Sequence, residues 1–365
     1  MDMHLLVDIS AHGLGHLAQT APVIAALCAE VPGLELTVRS ALPLHQLKKR
    51  IGVRFAHIQE ARDFGFVMHS AVDVDLKASA RAYREFHHDW PQKVAAESHW
   101  LNVHRVDAVL SNVAYLPLAG AAKAGIAAAS LCSLNWADVF FHYFGPSFAN
   151  APWAQEIHAQ MLDAYKGAEC FLRPTPGLPM RDMERLYEIG PIAHLGRRNR
   201  AIVSEKLGIA HDLRWVLLAM GGMEFRLPIE SWEPVQGVVW LVPSAWGIVR
   251  PDVCSFEHQE LAFSDILASV DAVVTKPGYG TFVEAACAGV PILYVERGDW
   301  PETTPFATWL AQHARSRELS RERVMGGDFI DDLAQLWQQP PPPGLQPTGA
   351  IEAARILQTA LGLAR

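Results

Sequence analysis

The sequence lacks the features that mark several classes of protein. It has only five cysteines in 365 residues, and no two of them form a CxxC pair. We therefore expect free thiols in a reducing, cytoplasmic environment rather than a disulfide framework. The formal net charge is −8, and the basic runs at 47–50 and 196–200 are short. This balance of charge disfavours nucleic acid as a partner.

Long apolar runs are also missing. No uncharged stretch reaches the roughly 18 residues that a membrane-spanning helix needs, and the first residues lead into a predicted strand rather than a signal peptide. We expect no transmembrane segment, while a peripheral contact with a membrane stays open. The chain does have 50% hydrophobic residues, and its length is typical of two domains of roughly 100–200 residues each.

Short apolar runs alternate with helical patterns along both halves of the chain. In the first half, strands are predicted over 4–10, 34–40, 54–58, 107–112, 127–132 and 169–173, and helices over 16–30, 43–50, about 77–105, 116–124 and 153–166. In the second half, strands are predicted over 214–220, 238–244, 253–257, 271–275 and 291–296, and a last helix over 350–364. This alternation predicts an α/β fold with parallel sheets covered by helices.

Proline and glycine divide the chain into predicted domains. They interrupt the pattern over 174–179 and 189–200, where we place a linker, and four prolines at 340–343 end the second series. We predict a first domain over 1–188, a second over 189–345 and a separate C-terminal helix within 346–365.

A glycine-rich turn follows the first predicted strand of each half. The first turn reads His12-Gly13-Leu14-Gly15-His16, and the second contains Gly221 and Gly222. In α/β proteins, turns between a strand and a helix bring backbone N–H groups against a ligand. We therefore predict a ligand site in a cleft between the two domains.

A third turn, in the sequence KPGYGT at 276–281, has the chemistry of a phosphate site. Gly278 and Gly280 allow close approach of the backbone, and the start of the following helix favours a diphosphate. Lys276 adds a compact positive charge, and Glu284 lies one turn into the helix, where it can accept hydrogen bonds from hydroxyls. The alternative is an ordinary strand–turn–helix whose Glu284 faces solvent.

The run from 263 to 306 resembles the donor-binding region of nucleotide-sugar glycosyltransferases of the GT-B architecture. Further stretches, at 12–16, 71–86, 134–144 and 348–357, resemble the glycosyltransferase-like proteins related to the N-terminal half of plant L-arabinokinase and to glycosyltransferase family 28. The resemblance implies an α/β, GT-B fold, in which two Rossmann-like domains with parallel sheets face a central cleft. It also implies that the C-terminal helix packs back toward the first domain.

The resemblance assigns most donor contacts to the second domain. It implies a nucleotide-sugar donor and an unknown acceptor, with Glu284 on the ribose and Asp299 and Glu302 on the sugar hydroxyls. The complete predicted donor set is Gly221, Gly222, Lys276, Gly278, Gly280, Thr281, Glu284, Asp299 and Glu302.

The first domain would receive the acceptor. Gly15-His16 matches the pair in which related enzymes place a catalytic base, so His16 is the candidate base. The alternative is a His16 that packs at the helix start without moving a proton. The predicted acceptor-side or orienting residues are His12, Gly13, Gly15, Asp75, Asn112 and Asp138.

Asn112 departs from the pattern of related enzymes. Many of them orient the histidine with an aspartate at this place, whereas an amide can accept a hydrogen bond from imidazole but cannot stabilise imidazolium by charge. Asp75 or Asp138 would then supply a carboxylate. The sequence DVD at 73–75 imitates a metal-binding motif of another architecture, but GT-B enzymes generally need no metal, so we expect neither metal nor cofactor.

The predicted function is metal-independent transfer of a hexosyl or pentosyl group from a nucleotide sugar, by direct displacement. Two alternatives stay open. One is a nucleotide-sugar epimerase on the same fold, and the other is a non-catalytic protein that binds nucleotide sugars.

Overall fold

The computed structural model describes residues 3–70, 72–221 and 225–363. Its first half contains a seven-stranded, wholly parallel sheet in the order β3-β2-β1-β4-β5-β6-β7. The strands are β1 (His4–Ile9), β2 (Glu35–Arg39), β3 (Ala56–Ile58), β4 (Ala108–Asn112), β5 (Ala127–Leu131), β6 (Cys170–Pro174) and β7 (Leu186–Ile189). The helices are α1 (Leu14–Glu30), α2 (Leu44–Arg50), α3 (Leu76–His87), α4 (Trp90–Val103), α5 (Leu116–Ala124), α6 (Trp136–Phe144) and α7 (Pro152–Lys166).

The second half contains a six-stranded parallel sheet in the order β10-β9-β8-β11-β12-β13. The strands are β8 (Arg214–Ala219), β9 (Val238–Val242), β10 (Val253–Ser255), β11 (Ala272–Thr275), β12 (Ile292–Val295) and β13 (Ser316–Leu319). The helices are α8 (Arg200–Leu207), α9 (Phe263–Ser269), α10 (Tyr279–Cys287), α11 (Thr303–His313), α12 (Arg321–Gly326), α13 (Ile330–Gln338) and α14 (Gly349–Ala360), with short 3-10 helices at Gly145–Asn150, Ile229–Ser231 and Ser244–Trp246.

The central strands are buried on both faces. Every residue of β4 and β9 is buried, as are all but the first residues of β1 and β8. This is the burial expected where helices cover both sides of a parallel sheet, and it explains why the strands read as continuous apolar runs. Two parallel sheets were predicted, and this prediction is confirmed.

The prediction of one continuous helix over about 77–105 is wrong. The segment forms two helices, because the chain turns at His88 and Asp89, and Asp89 has a left-handed backbone with φ of 55°. Pro91 is the sequence signal for this break, since proline is tolerated in the first turn of a helix but not in its interior. The edge strands β7 and β13 and five helices were not predicted: α6, α9, α11, α12 and α13.

The last helix, α14, packs against α1 and the strands of the first sheet. Gly190 N donates to Glu352 Oε2 at 2.8 Å, and Gly349 N donates to Pro191 O at 3.0 Å. A Cβ on Gly349 would lie 2.0 Å from Gly190 O, so this crossing requires glycine. The end of β7 at Ile189 falls at the predicted domain boundary, and the boundaries themselves stay predictions.

In each sheet the strand order reverses at the first strand of the half, because the chain connections proceed toward one edge of the sheet and later toward the other. β1 lies between β2 and β4, and β8 lies between β9 and β11. Such switch points are where parallel α/β sheets bind ligands, beyond the carboxyl ends of the strands. Over the ranges given above, no helix is long and apolar enough to cross a membrane.

Candidate functional site

The turn after β1 positions His16 at the start of α1. Gly13 precedes the first helical residue, and a Cβ on Gly13 or Gly15 would meet nothing within 4 Å. Ile9 pairs with Asn112 across β1 and β4, so the carboxyl ends of these strands bring His16 and Asn112 together. Asn112 Oδ1 lies 2.8 Å from His16 Nδ1, and Asn112 Nδ2 donates to His16 O at 3.3 Å.

This pairing fixes the tautomer of the His16 imidazole. Because the Asn112 amide donates through Nδ2, its oxygen faces the ring, so His16 Nδ1 carries the proton and Nε2 is left as an acceptor. Burial lowers the pKa of His16 to about 4, although the hydrogen bond that its ring donates to Asn112 acts to raise it. His16 is therefore neutral near pH 7. The neighbouring thiol of Cys132, 3.7 Å from Nδ1, is no nucleophile there, because burial raises the pKa of Cys132 far above neutral pH.

His12 packs against Trp136 of the first half and Trp300 of the second, which together form an aromatic frame. Its ring meets the edge of Trp136 at 5.2 Å between centroids and stacks on Trp300 of the second half at 6.1 Å. Gly65, with φ of 63°, packs against it, and a Cβ there would lie 2.7 Å from His12 Nδ1. Burial, and then the charge of His16, lower the pKa of His12 to about 3.

Two cationic side chains of the second half lie near this frame. Lys276 follows β11 directly, and Arg297 follows β12. The guanidinium of Arg297 lies 4.0 Å from the centroid of the Trp300 ring, and its buried Nε has no hydrogen-bond partner among the residues that the structure describes. Burial, and then the charge of Arg297, lower the pKa of Lys276 to about 8. Burial also lowers the pKa of Arg297 to about 10.

Glu302 is a buried carboxylate whose negative charge acts to raise the pKa values of Lys276 and Arg297. Its Oε1 accepts from Ser133 Oγ at 2.7 Å, and its Oε2 accepts from Trp300 Nε1 at 3.1 Å. Gln19 holds Ser133 in place, because it donates to Ser133 Oγ at 3.0 Å and accepts from Ser133 N at 3.1 Å. Burial raises the pKa of Glu302, while the bonds from Ser133 and Trp300 and the two cations lower it.

Sequence reasoning missed four residues of this site: Gln19, Ser133, Arg297 and Trp300. Arg297 and Trp300 flank the predicted Asp299, so the run after β12 contained a usable signal for them. Gln19 and Ser133 are separated by 114 residues, and only the tertiary structure joins them.

Three predicted carboxylates lie apart from His16 in the contacts that the structure describes. Asp75 caps α3, where Oδ1 accepts from Ala78 N at 2.9 Å. Asp138 lies in the first turn of α6, and burial raises its pKa to about 6. Asp299 is exposed and contacts the first half twice. Its Oδ1 lies 2.5 Å from His142 Nε2, and its backbone carbonyl accepts from the hydroxyl of Tyr143.

The glycine turns of the second half are set against other parts of the chain. Gly221 has φ of 81°, and a Cβ there would lie 3.2 Å from Lys276 Cε. Gly278 immediately precedes α10, and Thr281 in its first turn is half-buried. A Cβ on Gly280 would lie 3.0 Å from the Cβ of Ala18, where α10 approaches α1. Gly222, also predicted for the donor site, lies outside the described residues.

Glu284 does not face solvent. The residue is 2% exposed, and its Oε1 accepts from Arg50 Nη1 of the first half at 2.6 Å. The alternative of a solvated glutamate is therefore wrong. As for metals, no group of three or more histidine, cysteine or acidic residues in the part of the chain that the structure describes is placed to hold one.

Comparison with known proteins relates the chain to a kinase that is much longer. No protein-family model matches it. L-arabinokinase from Arabidopsis thaliana is 25% identical over 358 residues, which are 97% of this chain and 34% of that protein. The chain thus spans about a third of the length of the curated relative it matches.

Solved structures identify the architecture. The glycosyltransferase of kitacinnamycin matches with a TM-score of 0.62 and 16% identity, over 99% of this chain and 95% of that one. S. aureus MnaA, solved with UDP, matches with a TM-score of 0.61 and 11% identity, over 99% and 97% of the two chains. The fold is therefore GT-B, with two Rossmann-like halves, and the predicted resemblance is confirmed at the level of fold.

Proposed function

We propose that this protein is a glycosyltransferase that binds a nucleotide sugar between its two halves. One observation supports this function above the others. Lys276 and Arg297, two cations whose pKa values burial lowers, lie at the carboxyl ends of neighbouring strands, and their charges lower the pKa of His12 in the first half. Glu302 supplies one negative charge to these two cations, so the buried group keeps a net positive charge, which favours a further anion. A nucleoside diphosphate supplies that anion.

The diphosphate would lie between these cations and the start of α10. There the helix dipole and the free N–H groups favour negative charge. S. aureus MnaA, which shares the fold, was solved with UDP, and this supports a nucleotide ligand. Glu302 would accept hydrogen bonds from hydroxyls of the transferred sugar, together with Asp299 at the rim.

Transfer would then be a direct displacement. The acceptor hydroxyl gives its proton to His16 Nε2 as its oxygen attacks the anomeric carbon. The bond from that carbon to the diphosphate oxygen breaks, and the leaving nucleoside diphosphate takes the electron pair. Lys276 and Arg297 stabilise the charge that develops on it. Closed halves exclude the water that would otherwise hydrolyse the donor. The protein would act in the cytoplasm and would need neither a metal nor a cofactor.

A second candidate is a protein that binds nucleotide sugars without turnover. It is favoured by the neutral amide of Asn112 at the orienting position and by the low pKa of His16, about 4. A general base works best when its pKa lies near the working pH, so His16 is a weak base as it stands. An epimerase has less support, because of the two predicted sugar carboxylates only Glu302 is buried among the cations.

Calorimetry can test the donor site. The titrants are UDP, dTDP, GDP and the matching free nucleosides, against the wild type, Lys276→Met, Arg297→Met and the exposed control Lys123→Met. We expect one diphosphate to bind, at least ten-fold more weakly to the first two variants, while the control binds like the wild type. Equal binding to all four proteins would contradict the site.

A second assay separates the enzyme from the binding protein. Release of free nucleoside diphosphate from the nucleotide sugar that binds is followed with and without candidate acceptors. If release by the wild type requires an acceptor, and His16→Gln keeps donor binding but loses that release, the protein is a transferase. Donor binding with no turnover by the wild type would favour the second candidate.

A further inference from the structure

The carboxylate expected to bind the donor's ribose is already occupied. Glu284 lies in α10 of the second half and is 2% exposed. Its Oε1 is 2.6 Å from Arg50 Nη1, and its Oε2 is 3.5 Å from Arg50 Nη2. A ribose cannot reach this carboxylate while the guanidinium of Arg50 covers it.

Arg50 comes from the other half of the protein. It is the last residue of α2, where the helix dipole favours a positive charge. Its side chain is 27% exposed, so it reaches from the surface to a carboxylate whose own side chain is 3% exposed. The ion pair therefore spans the boundary between the halves, beside the close approach of Gly280 to Ala18.

The two possible partners of Glu284 have matching hydrogen-bond chemistry. An ionised carboxylate only accepts hydrogen bonds, and guanidinium offers it two N–H donors side by side. The neighbouring hydroxyls of a ribose also offer two donors. Exchange of Arg50 for a ribose therefore keeps Glu284 supplied with donors, whereas removal of both leaves a buried charge without a partner.

We propose that the Arg50–Glu284 ion pair is a latch over the ribose subsite. It holds the two halves together when no donor is bound, and the ribose hydroxyls replace the guanidinium when the donor enters. Arg50 then moves to solvent, which its partial exposure allows. This inference rests on the proposed function, together with the expectation from the sequence that Glu284 binds the ribose of the donor.

Other contacts between the halves provide a matched control. Arg321 donates to both carboxylate oxygens of Asp73, at 3.0 and 3.2 Å. Both side chains of that pair are more than 40% exposed, so water screens it and its contribution is small. Arg321→Gln removes one ion pair between the halves, as Arg50→Gln does, but leaves the ribose subsite untouched.

The test compares wild type, Arg50→Gln, Arg321→Gln and Glu284→Gln. Affinity is measured by calorimetry with UDP, GDP, ADP and CDP, and the diphosphate that binds is then compared with its 2′,3′-dideoxy form. The radius of gyration of each ligand-free protein is measured by small-angle X-ray scattering.

We expect Arg50→Gln to bind the diphosphate about five- to thirty-fold more tightly, the factor that corresponds to one or two kcal/mol, and to have a larger radius of gyration. Arg321→Gln should match the wild type in both. The dideoxy form should bind the wild type at least ten-fold more weakly, a difference that Glu284→Gln reduces.

Unchanged or weaker diphosphate binding by Arg50→Gln would overturn the latch and leave the proposed function standing. If none of these diphosphates, nor dTDP, binds any of the four proteins, the proposed function fails. The scattering data then decide separately whether Arg50 holds the halves together, and an unchanged radius in Arg50→Gln overturns that as well.

Discussion

Replacing Asn112 by aspartate tests how the buried imidazole of His16 is controlled. The substitution keeps the shape of the side chain and places a carboxylate where the amide oxygen now lies, 2.8 Å from Nδ1. An opposite charge this close shifts a pKa by about 1–3, so the pKa of His16 should rise from about 4 to between about 5 and 7. At that value the imidazole becomes a stronger base at neutral pH.

The same change alters how stability depends on pH. In the wild type the pKa of His16 is about 6.5 in the unfolded chain and about 4 in the folded protein. Between these pH values the unfolded chain binds a proton that the folded protein does not. Stability is therefore lost as the pH falls, by about 2 kcal/mol between pH 8 and pH 5 for this residue alone. With a folded pKa near 6, the Asn112→Asp variant would lose only about 0.6 kcal/mol over the same range.

At pH 8 the variant should be less stable than the wild type, because it buries a carboxylate beside a neutral ring. By pH 5 the gap should narrow by about 1.4 kcal/mol. Urea unfolding at both pH values measures this, and NMR titration of the ring, assigned with His16→Gln, measures the pKa directly. Asn102→Asp, on an exposed part of α4, is the control. A gap that is constant with pH, or a wild-type His16 that titrates above pH 6, would refute the reasoning.

Two further substitutions test packing around the site. Gly65→Ala should lower the free energy of unfolding by about 1–3 kcal/mol for its left-handed backbone, and by more for the clash with His12. Gly208→Ala is the control, because Gly208 is also left-handed, with φ of 66°, but faces open space, so only the backbone part is lost. Equal losses of stability in thermal unfolding would show that the clash is relieved. Arg39→Met should cost about 3–5 kcal/mol in urea unfolding, because Arg39 is fully buried and its loss leaves Asp8, 2.6 Å away, beside a second buried carboxylate. A loss below about 1 kcal/mol would mean that the carboxylates take up protons instead.

Much of the candidate site could be predicted because it lies in local motifs. The turn before α1 and the turn before α10 have glycines and polar residues at fixed distances from an apolar strand, and such signals need no knowledge of distant contacts. Pairing of Asn112 with His16 also follows from strand order, since β1 and β4 are neighbours whose carboxyl ends coincide. The two strands that were missed, β7 and β13, are short edge strands with exposed residues, so their sequences lack the apolar run of a central strand.

The sequence by itself determined the α/β alternation, the two parallel sheets and the glycine turns at their carboxyl ends, because these depend on local periodicity and backbone freedom. Only the tertiary structure decided which side chains meet between the halves. It brought Arg50 to Glu284 across 234 residues and Ser133 to Glu302 across 169. Such pairs follow from how the two sheets and their helices pack together, and no local pattern in the chain encodes that packing.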